Sequence, residues 1–173
     1  MTGSKYLLEV DGKRVLIDCG LFQGLKPLRL RNWESLPVEP RSIGTVLLTH
    51  AHLDHSGYLP VLVKNGFRGP IICSRSTADL CEILLTDSGY LQEKDAEFAN
   101  RHGFSKHKLA LPLYTEQEAR EALKFLKPIP FDVQQTLGDL RVTFRRAAHI
   151  LGAASIESEP AGESIVFSGR RPI

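Results

Sequence analysis

The chain has 173 residues, a net charge of +2, 42% hydrophobic and 24% charged residues, which is the composition of one globular domain and not of a polyelectrolyte. Its three cysteines (Cys19, Cys73 and Cys81) are odd in number and form no CxxC, so we expect core residues in a reduced, cytoplasmic protein rather than a disulfide framework. No apolar run approaches membrane-spanning length and the N-terminus has no signal-peptide core, so neither a membrane segment nor export is expected.

The chain begins with a predicted β-hairpin. The apolar runs 6–10 and 14–18 flank Asp11-Gly12, a strong signal for a two-residue turn. Residues 25–42 carry three prolines and little periodicity, which indicates a surface excursion. Residues 44–49 then predict a short buried strand.

Helices are expected in the middle of the chain. Residues 56–65 predict a helix with Pro60 near its start and Gly66 at its end. After a short strand at 70–73, Ser76 is the expected cap of the next helix, with Asp79 at its third position. That helix is expected to direct three apolar side chains into the core: Leu80, Ile83 and Leu84. Residues 92–107 are expected to continue as helix and then loop.

The last third of the chain is expected to be rich in strands. Thr115 and Glu118 predict a capped helix that runs to about Lys127 and is ended by Pro128 and Pro130. Strands are expected at 141–147, 154–159 and 163–168. Apolar and polar residues alternate in the first of them, so one of its faces should be buried. Together these elements predict an α/β protein with mixed strands.

The most informative segment is the run His50-Ala-His-Leu-Asp-His55, directly after a predicted buried strand. Neutral imidazole and carboxylate are ligands of borderline divalent metals such as Zn²⁺. His50 and His52 are two residues apart, so an extended backbone directs both to one side. Asp54 and His55 come where the chain must turn, so they approach from another direction. The run therefore predicts a metal site rather than a solvated polar loop.

This run, with Asp18 at the end of an early strand and His149 at the end of a later one, resembles the metallo-β-lactamase fold. More narrowly, four segments resemble the β-CASP branch of RNA-processing nucleases: 16–23, 87–93, 104–108 with 112–115, and 148–153. The resemblance covers about residues 5–169. It implies an αββα sandwich, of which this chain, expected to be one domain over 1–173, supplies only the N-terminal half.

The resemblance also implies roles for individual residues. His50, His52 and His149 would hold a first zinc ion, and Asp54 and His55 a second. Asp54 and His55 are the expected catalytic residues, since Asp54 would also orient the attacking water. Asp18 would fix the histidine loop through hydrogen bonds. His102 and His107 match no metal motif and are expected at the surface.

The chain departs from the family at its end. The family follows Phe167-Ser168-Gly169 with an aspartate that bridges the two metals, whereas this chain has Arg170. Because a guanidinium repels a metal ion, at most one zinc is expected to be held well. A half sandwich is also expected to expose an apolar sheet face, and we therefore predict self-association or a partner chain.

The expected activity is zinc-dependent hydrolysis of RNA phosphodiesters, either by this chain or by a larger enzyme of which it is a part. Lys106 and Lys108 lie in a basic segment that could follow the RNA backbone. Two alternatives stay open. One is another hydrolase on the same scaffold, such as a thioesterase or a glyoxalase-like enzyme. The other is a non-catalytic module that binds metal or RNA, which Arg170 favours.

Overall fold

Two β-sheets pack face to face in the computed structural model, which describes residues 3–103, 109–160 and 164–168. The first sheet has the order β1 (Tyr6–Val10), β2 (Lys13–Ile17), β3 (Ile43–Leu47), β4 (Ile71–Ser74), β5 (Leu126–Ile129). Its β1 and β2 are antiparallel and its other pairs are parallel. The second sheet is antiparallel throughout, in the order β6 (Gln135–Leu137), β7 (Leu140–Arg146), β8 (Ala154–Pro160), β9 (Ile165–Ser168).

Helices cover the other face of the first sheet. They are α1 (Lys26–Leu30), α2 (Leu53–Ser56), α3 (Leu59–Lys64), α4 (Arg75–His102) and α5 (Glu116–Leu123), with short 3-10 helices at Arg31–Trp33 and Pro40–Ser42. Among the described residues, no helix combines the length and the apolar character needed to cross a bilayer.

The period of two along the strands separates two hydrophobic cores. Leu16 and Val46 face the helices and belong to the larger core. Val15, Ile17 and Leu47 face the opposite way and pack against the second sheet. The expected sandwich is therefore confirmed, with one helical layer and two sheets in the described part of the chain.

Several local predictions are confirmed. Asp11 and Gly12 have φ of 49° and 73°, as a tight hairpin turn requires. Thr115 accepts a hydrogen bond from the Glu118 amide, and the Glu118 side chain accepts one from the Thr115 amide, which completes the capping box. All three cysteines are free and buried, and burial raises the pKa of the Cys19 thiol to about 12.

The predicted start and inner face of α4 were partly wrong. Ser74, not Ser76, caps the helix by accepting a hydrogen bond from the Thr77 amide, because the helix begins directly where β4 ends. Ile83 is 64% exposed. The buried stripe of α4 follows Thr77, Cys81 and Leu85 at intervals of four residues, and Leu80 and Leu84 flank it.

The helix predicted to reach Lys127 ends instead at Leu123. Residues 126–129 form β5, which pairs in parallel with β4. Pro128, predicted to stop the helix, lies in the outermost strand of the sheet, where its missing N–H is tolerated. The short strand β6 was also not predicted.

The outer face of the second sheet is mainly polar in the described residues, whereas exposed apolar side chains lie on the outermost strands: Tyr6 and Leu7 on β1, and Ile165 and Val166 on β9. The outer face of the second sheet carries Arg141, Thr143 and Arg145 on β7, opposite Glu159, Glu157 and Ser155 on β8. Arg141 pairs with Glu159 at 3.4 Å, and Arg145 pairs with Glu157 at 2.9 Å. Only Val166 adds an exposed apolar side chain to this face among the described positions of β7, β8 and β9. Self-association or a partner chain therefore stays a prediction.

Candidate metal centre

Three histidine nitrogens converge where the two sheets meet. His52 Nδ1 lies 3.2 Å from His50 Nε2 and 3.2 Å from His149 Nε2. The three ring centroids are each 4.9 Å apart, and the ring planes meet at 76° to 82°. His50 is buried, His52 is half-buried and His149 is exposed, so the cluster opens to solvent on one side.

This arrangement fits a divalent metal ion. A tetrahedral ion with metal–nitrogen bonds of 2.0–2.1 Å places its ligand nitrogens about 3.3 Å apart. Hydrogen bonds alone do not pair all three nitrogens. A proton on His52 Nδ1 can be donated to His50 Nε2 or to His149 Nε2, but not to both. Three convergent lone pairs that share one cation would satisfy all of them.

The protonation state of the cluster suits a ligand. Burial, followed by the neighbouring imidazoles of His55, His52 and His149, lowers the pKa of His50 from 6.5 to about 3. Burial and then the His149 imidazole also lower the pKa of His52, although Asp54 raises it. Both side chains are therefore neutral near pH 7, the form that binds metals.

Asp18 holds the histidine loop, residues 50–55 with the preceding Thr49, through hydrogen bonds. Its buried carboxylate accepts hydrogen bonds from the Thr49 amide at 2.8 Å, from Thr49 Oγ1 at 2.9 Å and from His55 Nδ1 at 2.6 Å. Asp18 has φ of +57°, a left-handed conformation that aspartate adopts more readily than most residues. This backbone conformation occurs directly after β2, next to the histidine loop.

Asp18 fixes the tautomers of two histidines, that of His55 directly and that of His50 through Thr49. A carboxylate only accepts, so His55 Nδ1 carries the proton and His55 Nε2 keeps its lone pair. The Thr49 hydroxyl likewise donates to Asp18, so its oxygen accepts from His50 Nδ1 at 2.9 Å. His50 Nε2 then carries a lone pair, and this nitrogen faces His52. Sequence reasoning missed Thr49, although it directly precedes His50.

Asp54 and His55 lie beside the histidine cluster. Asp54 Oδ2 is 3.9 Å from His55 Nε2, and the rings of His50 and His55 have centroids 4.1 Å apart. Within the described residues, the group of three or more potential ligands that lie close together is His50, His52 and His149. Asp54 and His55 fall outside this group, so their roles as metal ligands stay predictions.

Backbone hydrogen bonds hold Asp54 and His55 in place. The carbonyl oxygens of three successive residues accept from three amides: Leu53 from Leu21 at 2.8 Å, Asp54 from Ser4 at 2.8 Å, and His55 from Cys19 at 2.6 Å. Gly20 permits this approach, because a Cβ built on it would lie 1.7 Å from the Asp54 carbonyl oxygen.

The second sheet brings His149 to the site. The turn between β7 and β8 is anchored at Gly152, whose carbonyl oxygen accepts from Ser74 Oγ at 2.7 Å and Thr77 Oγ1 at 3.0 Å. The Ala154 amide donates to the Thr49 carbonyl at 2.9 Å and so joins this turn to the histidine loop. His149 thereby meets His52 across 97 positions of sequence.

Other predicted residues lie elsewhere. His102 is exposed at the end of α4, as expected. Lys106, Lys108, His107 and Arg170 lie outside the described residues, so their predicted positions and roles stay predictions.

The family model described as the metallo-β-lactamase superfamily matches residues 2–155. The chain therefore belongs to this superfamily, which confirms the resemblance in sequence. A metallo-β-lactamase from Cronobacter sakazakii has the same fold, with a TM-score of 0.59 and 23% identity over 95% of this chain and 56% of that one.

Similar sequences include a ribonuclease, a transcription termination factor and a cleavage and polyadenylation factor. The chain is 36% identical over 169 residues to Ribonuclease TTHA0252 of Thermus thermophilus, covering 98% of this chain and 35% of the relative. It is 32% identical over 148 residues to Transcription termination factor FttA of Methanocaldococcus jannaschii, covering 85% and 21%. Cleavage and polyadenylation specificity factor 73 of Drosophila melanogaster is 29% identical, covering 94% and 22%. The chain thus spans about a third or less of these relatives.

Proposed function

We propose that this chain carries the metal centre of a zinc-dependent phosphodiester hydrolase that acts on RNA. The convergence of three histidine nitrogens, with two N···N distances of 3.2 Å, carries the proposal. The name of the ribonuclease relative, 36% identical over nearly the whole chain, supports RNA as the substrate. Zinc is the proposed metal because it prefers imidazole ligands in tetrahedral geometry.

In this proposal His50, His52 and His149 hold the first ion, and Asp54 and His55 contribute to a second. A divalent metal held there would polarise a phosphoryl oxygen and make water a stronger nucleophile at neutral pH. Asp18 keeps the protons on His50 Nδ1, through Thr49, and on His55 Nδ1, so that the lone pairs a metal ion binds are on the two Nε2 atoms. The Asp54 carboxylate would orient the attacking water.

A cytoplasmic setting belongs to the same proposal. The buried free thiols of Cys19, Cys73 and Cys81 are compatible with a reducing compartment. Self-association or a partner chain remains a prediction, and sedimentation of the purified chain tests it.

Metal content and RNA cleavage test the proposal together. Elemental mass spectrometry is expected to find at least one zinc per chain, and single-stranded RNA is expected to be cleaved only when metal is present. His52→Ala and His149→Ala should remove both properties. His102→Ala is the matched control, because His102 is exposed at the far end of α4. A chain without metal, or cleavage that survives His52→Ala, would contradict the proposal.

A non-catalytic module is the second candidate, because Arg170 stands where the family has a metal-bridging aspartate. It predicts that the chain binds metal and RNA but does not cleave the RNA, and that Arg170→Asp raises the number of bound metal ions. Hydrolysis of a thioester in preference to a phosphodiester would instead indicate another hydrolase of the superfamily.

A further inference from the structure

A groove of about 570 Å³ opens beside the histidine loop. We call it the Trp33 groove and define it by Phe22, Arg29 and Trp33 on one wall and Gln92, Asp95 and Leu111 on the other. Its volume lies in the range of pockets that hold a small molecule or a nucleotide. None of the residues that define it takes part in the metal centre.

The first wall is held rigidly. The Asn32 side chain accepts a hydrogen bond from the Phe22 amide and donates one to the Phe22 carbonyl, both at 2.9 Å. The Phe22 ring lies 4.3 Å from the Arg31 guanidinium and 4.8 Å from the Lys5 ammonium. These cation–π contacts and the amide clamp fix the loop that leads from Cys19 to the groove.

The second wall is equally well defined. Asn100 exchanges two hydrogen bonds with the Ala110 backbone, at 2.7 and 3.0 Å. Gln92 accepts from the Leu113 amide at 3.2 Å, and the Tyr114 hydroxyl donates to Ser88 at 2.8 Å. The segments 87–93 and 112–115, noted in the sequence, are therefore hydrogen-bonded to each other and form this wall. A groove with two such walls is preformed, which lowers the entropy cost of binding.

The chemistry of the groove suits single-stranded nucleic acid. The Trp33 indole is 58% exposed, a large flat surface for a residue that usually packs in a core. Arg29 lines the groove with it, and Lys26 and Arg31 are near in sequence, whereas Glu34 directly follows Trp33. An exposed aromatic ring with an arginine in the same groove can bind a single strand by stacking and phosphate contact.

Asp95 on the opposite wall would give a bound strand an orientation. Its carboxylate repels phosphate but accepts hydrogen bonds from N–H groups on base edges, the uracil N3–H included. A strand in this groove would therefore place its backbone on the α1 side, where Arg29 lies, and its base edges towards α4. Leu53 also lines the groove and lies between His52 and Asp54, so the groove adjoins the metal loop.

We propose that the Trp33 groove binds one or two nucleotides of single-stranded RNA next to the metal centre, with a base stacked on Trp33 and a phosphate at Arg29. This inference rests on the proposed function, because it places the same RNA substrate on this chain. It assigns substrate contacts to residues that lie outside the metal-binding motif.

Trp33 is the only tryptophan of the chain, so its fluorescence reports on the groove alone. The intact chain is titrated with hexauridylate RNA in the presence of a chelator, so that no cleavage occurs. A saturable quench of Trp33 fluorescence is expected. Binding is also followed by the anisotropy of fluorescein-labelled RNA, which does not depend on tryptophan.

Two variants separate stacking from phosphate contact. Trp33→Ala is expected to raise the Kd about tenfold, the loss of one stacked base, and Trp33→Phe to restore part of the affinity. Arg29→Ala is expected to lower the slope of log K against log salt by about 0.7, the loss of one phosphate contact to a single strand. Arg120→Ala, an exposed arginine on α5, is the matched control and should change neither quantity.

Unquenched Trp33 at RNA saturation, or unchanged affinity in both groove variants, would overturn the inference. The absence of RNA binding would also overturn it, as would a groove that binds only apolar peptides. Because the titration is done without metal, it tests the groove separately from the hydrolase. Quenching, with no cleavage once metal is added, would support RNA binding in the groove and count against the hydrolase. Cleavage with metal but no quenching would support the hydrolase and count against the groove.

Discussion

Replacing Asp18 by asparagine tests whether this carboxylate sets the tautomer of His55. The amide of Asp18→Asn has nearly the same shape, and its oxygen can still accept from the Thr49 amide and hydroxyl. Its NH₂ group then faces His55 Nδ1, which lies 2.6 Å from the carboxylate in the native chain. Two donors cannot face each other, so His55 must move its proton to Nε2, the nitrogen next to Asp54.

The size of the effect follows from this conflict. Keeping the proton on His55 Nδ1 against the amide would leave a donor unpaired, at a cost of about 1–3 kcal/mol. A metal ion that needs the Nε2 lone pair must overcome that cost, so its affinity at the Asp54–His55 position falls about 10- to 100-fold. The histidine cluster should be nearly unaffected, because the relay from Thr49 to His50 survives.

Long-range proton–nitrogen NMR of the histidine rings measures the tautomer directly. We expect His55 to carry its proton on Nδ1 in the native chain and on Nε2 in Asp18→Asn. A competitive zinc titration should lose the weaker site and retain the tighter one. Asp132→Asn is the control, because Asp132 pairs with Arg145 at the surface. An unchanged His55 tautomer in Asp18→Asn would refute this reasoning.

Three further predictions concern the free energy of unfolding, measured by urea unfolding with chelator present. Gly20→Ala should lower it by more than about 3 kcal/mol, because the added Cβ meets the Asp54 backbone. Gly44→Ala, whose Cβ would have 3.5 Å of clearance, should stay close to native, and equal losses in the two variants would contradict this reasoning. The pKa of His50 is about 3 in the folded chain, against 6.5 for an unperturbed histidine, so the unfolded chain binds more protons between these values. Stability should therefore fall as pH drops from about 6.5 towards 3, by at most about 1.4 kcal/mol per pH unit from this group, and less steeply in His50→Gln. Thr115→Ala should cost about 1 kcal/mol through loss of the capping box, and no loss would argue against that cap.

The strongest sequence signals were local ones, and these predicted the structure well. The Asp11-Gly12 turn and the Thr115 capping box depend on residues a few positions apart, so their physics is written in the sequence. The run from His50 to His55 likewise combines ligand chemistry with a strand end. Errors came where a local signal had two meanings. Pro128 stops a helix or tolerates a sheet edge, and only the pairing with β4 decides between them.

The sequence by itself determined the candidate ligand types, the α/β class and the buried cysteines, because residue chemistry and hydrophobic periodicity do not depend on distant contacts. Only the tertiary structure decided which ligands meet. His149 reaches His52 across 97 residues because β7 and β8 pack on the first sheet, and Asp18 reaches His55 across 37. The polar outer face of the second sheet and the Trp33 groove also arise from packing between distant segments. Such contacts depend on how whole elements pack, and no short stretch of sequence records that.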